Sequence, residues 1–145
     1  MKPAKHKSAA TICAFLCVLL FAGCASNPAK KLSNTTFTRM EFVQGRTQLY
    51  TTSDENTMRS ISELLARQNW RSYLPTTEPA NWQDRAFIHL FAGNNEVGTV
   101  SFYVNTPRSH LVLTFSINSY HTTLSEADTA LLKQCFIRFP NWNLH

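Results

Sequence analysis

Between residues 110 and 120 inward and outward positions alternate without a break: Leu111, Leu113, Phe115 and Ile117 interleave with Val112, Thr114, Ser116 and Asn118. A period of two is that of a β-strand, whose successive side chains point to opposite faces, so this stretch predicts one strand with a buried face and a wetter one. One-sided sheets are antiparallel in character, since parallel strands covered on both faces read as unbroken apolar runs. The remaining residues must then supply a cover for the apolar face.

The rest of the chain offers that cover. Residues 37–43 read as a strand, Gln44-Gly45 as a turn, and 46–51 as a second, weaker strand. Ser53 or Asp54 caps a helix, and Asp54 and Glu55 stand where the positive end of the helix dipole favours acids. Met58, Ile61, Leu64 and Leu65 recur at helical spacing, while Arg59, Glu63 and Arg67 mark the opposite face at four-residue steps. This helix is expected to end near Gln68 or Asn69. Residues 71–84, with Pro75 and Pro79, read as a loop with a short strand near Tyr73 and Leu74. Strands follow at 85–92 and 97–104, joined by the turn Gly93-Asn94-Asn95-Glu96, and a turn at 105–109 leads into the alternating stretch. Ser125-Glu126-Ala127-Asp128 resembles a capping box with Asp in place of Glu or Gln. The helix behind it runs to about Arg138, with Leu124, Ala127, Leu131, Leu132, Cys135 and Phe136 as its stripe, and Phe139-Pro140 ends it. The fold expected is α+β: an antiparallel β-meander with two amphipathic helices packed on one face, a two-layer sandwich spanning 37–145 as a single domain. A body of that size buries enough surface to stand without a disulfide.

The first 25 residues have another logic. Lys2, Lys5 and Lys7 precede an uncharged apolar run at 9–22, too short to span roughly 30 Å of hydrocarbon as a permanent helix but of the size of an export-signal core. It closes with Leu20-Phe21-Ala22-Gly23-Cys24. This segment resembles the lipobox of bacterial lipoproteins, with Phe21 standing where that family usually has Leu, Val or Ile. The resemblance implies a signal peptide over 1–23, cleavage between Gly23 and Cys24, and a diacylglycerol thioether on Cys24. It also implies a membrane partner reached through those acyl chains. Acyl chains contribute about 0.8 kcal/mol per buried methylene, so two or three anchor firmly. By the sorting habit of the same family, Ala25 in place of Asp favours the outer membrane, at its periplasmic face. Residues 24–36, with Asn27, Pro28, Lys30, Lys31, Ser33 and Asn34, read as a tether.

Charge then narrows the function. The whole chain carries a net charge of +5, but residues 32–145 hold nine Lys and Arg against nine Asp and Glu. Nucleic-acid binding needs surplus cations to displace counterions from phosphates, so no nucleic-acid partner is expected. No cofactor is expected either, as no glycine-rich phosphate cradle is present. His89, His110, His121 and His145 show no metal-ligand spacing, and His110 and His121 bracket the alternating strand at opposite ends, too far apart to share an ion. Cys135 falls on an apolar stripe and reads as core. Asp54/Glu55 and Glu126/Asp128 suit helix capping, and no nucleophile motif accompanies them, so no catalytic residue is assigned and no enzyme is expected. Large aromatics beside loop prolines suit a binding surface: Trp70, Tyr73 and Trp82 are the candidate contact for a protein or envelope polymer. The expectation is a non-enzymatic, outer-membrane-anchored lipoprotein. The alternative is an inhibitor or immunity protein that inserts the 93–96 or 105–109 turn into a hydrolase or toxin, and an envelope-acting enzyme ranks below both.

Overall fold

A computed structural model describes residues 27–73, 85–103 and 106–137. The fold is α+β, with a seven-stranded antiparallel sheet and three helices. In chain order the elements are α1 (Pro28–Asn34), β1 (Arg39–Gln44), β2 (Thr47–Thr52), α2 (Glu55–Ala66), β3 (Arg71–Ser72), β4 (Arg85–Ala92), β5 (Asn95–Tyr103), β6 (His110–Phe115), β7 (Asn118–Thr123) and α3 (Glu126–Ile137). The strand order is β2-β1-β4-β5-β6-β7-β3. Strands β4 to β7 form the expected meander. The β1–β2 hairpin joins it at one edge through β1–β4, and β3 closes the other edge on β7.

Alternation dictates the core. Met40 and Phe42 of β1, Ala86, Ile88 and Leu90 of β4, Val100 and Phe102 of β5, and Leu111, Leu113 and Phe115 of β6 are buried in one cluster. Met58, Ile61, Leu64 and Leu65 of α2 and Leu132 and Phe136 of α3 belong to the same cluster. Phe136 packs edge-on against Phe42 and Phe102, with ring centres 4.9 and 5.2 Å away. The helix starts are as the sequence indicates: Asp54 accepts from the Thr57 amide at 2.7 Å, and the Ser125 hydroxyl accepts from the Asp128 amide at 3.1 Å. The α3 stripe differs from the one the spacing predicts: Ala127 and Leu131 are exposed, Cys135 is half-buried, and Thr129 is buried in their place. The buried Thr129 hydroxyl accepts from the Ser109 amide at 2.9 Å, which satisfies it.

Three features depart from the sequence reading. The alternating stretch at 110–120 is two strands rather than one. Ser116 sits at φ 55° and the chain reverses over Ser116-Ile117, leaving Ile117 93% exposed. A strand pairing Phe115 with Asn118 exchanges parity at the turn, so Tyr120 and Thr122 face the core while Ser119 and His121 face away. The ordered fold also begins before Phe37. Residues 28–34 form a helix capped by the Asn27 side chain, with Pro28 and Leu32 buried. Lastly, Val97 adds a residue to β5, a bulge in which Leu90 pairs with Gly98 and Phe91 with Glu96; Leu90 faces the core, and Phe91 is buried on the other face beneath the Arg39 guanidinium.

Gly98 is fixed by contact rather than by its backbone angle. A Cβ there would stand 2.6 Å from the Phe115 ring, which is itself buried and has the Lys31 ammonium 4.2 Å from its centre. Gly98→Ala is therefore expected to overpack this corner and cost about 1–3 kcal/mol. The measurement is the urea unfolding midpoint, and an unchanged midpoint would show that the ring has room to move.

Candidate functional site

The sheet face away from the core carries most of the polar and aromatic chemistry. Along β4 it presents Arg85, Phe87, His89 and Phe91 at every second position, and β1 adds Arg39 and Glu41 beside them. The Arg39 guanidinium lies 4.0 Å from the Phe91 ring centre and pairs with Glu41 at 3.3 Å. Arg85 lies 5.2 Å from the Phe87 ring centre and donates to the Ser101 hydroxyl at 2.8 Å. The Phe87 and His89 rings stack at 6.2 Å.

His89 is held by a partner on β5. Its Nδ1 lies 2.8 Å from Glu96 Oε1, and the Thr99 hydroxyl donates to the same oxygen at 2.6 Å. Burial opposes the charge on Glu96, but the hydrogen bonds from His89 and Thr99 outweigh it and hold the carboxyl below its usual range. A carboxylate that orients an imidazole is half of a hydrolytic relay. The Thr99 hydroxyl also lies 3.5 Å from His89 Nδ1, and the His89–Glu96 contact ties β4 to β5.

The second cluster lies at the β6–β7–β3 edge. The His110 and His121 rings are 5.3 Å apart, and Tyr73 closes a triangle with them at 6.4 and 5.4 Å. This corrects the expectation that the two histidines stand at opposite ends of one strand. His110 pairs with Thr123 and His121 with Val112, so the two are diagonal neighbours on one face of a hairpin. The Tyr73 amide donates to the Ser119 carbonyl at 2.9 Å and continues β3 along the edge. Burial, joined by the charge of His121, pushes the His110 pKa below the usual histidine value. Among the described residues no three His, Cys, Asp or Glu side chains gather into a metal-ligand group.

The proposed contact residues do not form one surface. Trp70 packs against the core cluster, and its indole donates to the Leu65 carbonyl at 2.8 Å, closing the end of α2. Tyr73 points to the opposite face, into the histidine pair. Trp82, Gly23 and Cys24 lie outside the described residues. Glu126 and Asp128 stay at the start of α3, where Arg67 and Gln68 engage Asp128. Burial works against that carboxylate's charge, and these partners with Ser125 still lower its pKa. A cleft of about 570 Å³ between α2 and α3 is lined by Tyr50, Asp54, Ile61, Arg67, Leu131 and Cys135, with no histidine. A second, of about 490 Å³, lies between α1 and α2.

No sequence signal for the Tyr73-His110-His121 triangle was available without the turn at Ser116-Ile117, since its members are 37 and 11 positions apart. In comparisons with known proteins, no family model, no curated protein and no solved structure matches this chain.

Proposed function

We propose that this chain is a lipid-anchored protein of the bacterial envelope, held at the periplasmic face of the outer membrane, whose α+β domain binds a protein or envelope polymer without catalysis. One observation carries the reading: a basic start, an apolar run and Leu20-Phe21-Ala22-Gly23-Cys24 end three residues before the first described residue, Asn27. Export and acylation at Cys24 would leave a short link of about 10 Å at most between lipid and domain. In this reading α2 and α3 cover one face of the sheet, and the opposite face, with Arg39, Phe87, His89 and Tyr73, meets the partner. A short link confines that face to a thin layer beside the membrane and raises its effective concentration for partners there.

A second reading, an inhibitor of an incoming hydrolase or toxin, is favoured by Ile117. A β-branched apolar side chain, 93% exposed at the tip of a two-residue turn, has the shape of a plug for an apolar pocket.

Intact mass of the protein purified from cells tests the first step. The expected species begins at Cys24 and carries acyl chains, and Cys24→Ser is expected to leave the membrane fraction. An unmodified residue 24 would sink the assignment. Affinity capture then separates the readings. Loss of the captured partner in His89→Ala supports the sheet face, and loss in Ile117→Asp supports the inhibitor.

A further inference from the structure

We propose that Tyr73, His110 and His121 bind one divalent late transition-metal ion, copper(II) foremost, on the sheet face away from the core. The triangle of ring centres has sides of 5.3, 5.4 and 6.4 Å. Imidazole nitrogen bonds a metal at about 2.0–2.1 Å, which puts the ring centre roughly 3.2 Å from the ion, so two rings meeting at 90–110° lie roughly 4.5–5.3 Å apart. A phenolate oxygen at about 2 Å puts its ring centre roughly 4.2 Å from the ion, and thus roughly 5.3–6.4 Å from each imidazole at 90–120°. The His110–His121 separation falls at the upper end of the first range, and both Tyr73 separations fall within the second.

The surrounding atoms suit a ligand set. Among the described residues, the one hydrogen bond to these three rings joins His110 Nδ1 and Thr123 Oγ1 at 3.3 Å. It fixes the ring and leaves Nε2 for the ion, as the outer partner of a metal-bound histidine does. The backbone is fixed by the β6–β7 ladder and by the Tyr73–Ser119 bond. Arg71 pairs opposite His121, and its exposed side chain has water to turn into. Two imidazole nitrogens and a phenolate oxygen form a borderline N/O set, for which copper(II) ranks above zinc and nickel. Ligation as the phenolate releases the Tyr73 phenol proton to solvent. Aromatic packing alone also holds rings at such distances. A packed trio, however, is indifferent to the phenol oxygen, whereas a ligated ion is not.

The site does not depend on the lipid anchor. The test is titration of the mature chain, purified in detergent, with copper(II), followed by calorimetry and visible absorption. Wild type is expected to take up one ion per chain with a phenolate-to-copper charge-transfer band. Tyr73→Phe should lose the band, His110→Gln and His121→Gln should each weaken binding by more than about tenfold, and Lys30→Ala, at an exposed position on α1, should change neither. A wild type without the band, a band that survives Tyr73→Phe, or equal affinity in the His110→Gln/His121→Gln double variant would overturn the proposal. Thermal melts of the same samples verify that each variant is folded, and the wild-type band stands as a test by itself.

Discussion

Phe136→Ala should cost the domain about 3–5 kcal/mol, the largest loss expected from any single truncation in α3. The ring has no solvent exposure and stands edge-on to both Phe42 and Phe102, at interplanar angles of 83° and 78°. Its removal takes away the apolar transfer energy, two quadrupole-favoured ring contacts and the filling of the gap between helix and sheet. A cavity walled by strands β1 and β5 has little freedom to collapse, because both strands are laddered on each side. Against a total stability of about 5–15 kcal/mol, such a loss brings a domain of this size close to unfolding at body temperature. The check is the urea midpoint with its slope, beside Phe136→Leu, which keeps most of the volume and should cost less. A Phe136→Ala loss under about 1 kcal/mol would mean that α3 does not seal the core.

Leu32→Ala is expected to cost about 2–4 kcal/mol, in a segment whose composition reads as a linker. Leu32 is 1% exposed and belongs to the same core cluster as Met58 and Leu65 of α2. A residue in a solvated tether would change stability by less than about 0.5 kcal/mol. Lys30→Ala, at an exposed position two residues earlier in the same helix, supplies the matched control. If both variants melt together, α1 contributes nothing to the fold, and the link between the acylated cysteine and the domain is longer than proposed.

These two residues show how far local pattern carries. Phe136 was legible because it falls on a 3.6-residue stripe behind a capping motif, and both signals are local. Leu32 was not, because one leucine among Pro, Lys, Ser and Asn gives no period, and a seven-residue helix owes its existence to the surface it lies on. Leu131 erred in the other direction: it satisfies the stripe and is exposed all the same. Periodicity gives the width of a helix's apolar face, while the neighbour decides how much of it is covered.

The candidate site was less legible than the fold. His89 is legible as a strand residue within 85–92, but its partner Glu96 depends on the β4–β5 register. Trp70 and Tyr73 are close in sequence, but their three-residue offset sends them to opposite sides of the sheet.

From the order of residues alone follow the α+β class, the positions of α2, α3 and most strands, and the Asp54 and Ser125 caps. Each depends on neighbours within a few positions. Only the tertiary structure decided that the alternating stretch reverses at Ser116-Ile117, that β1 inserts beside β4, and that Tyr73, His110 and His121 converge. Alternation is satisfied equally by one long strand or by two short ones. The choice between them is made by pairing and burial across the sheet, where a two-residue turn exchanges parity and carries His121 onto the face of His110.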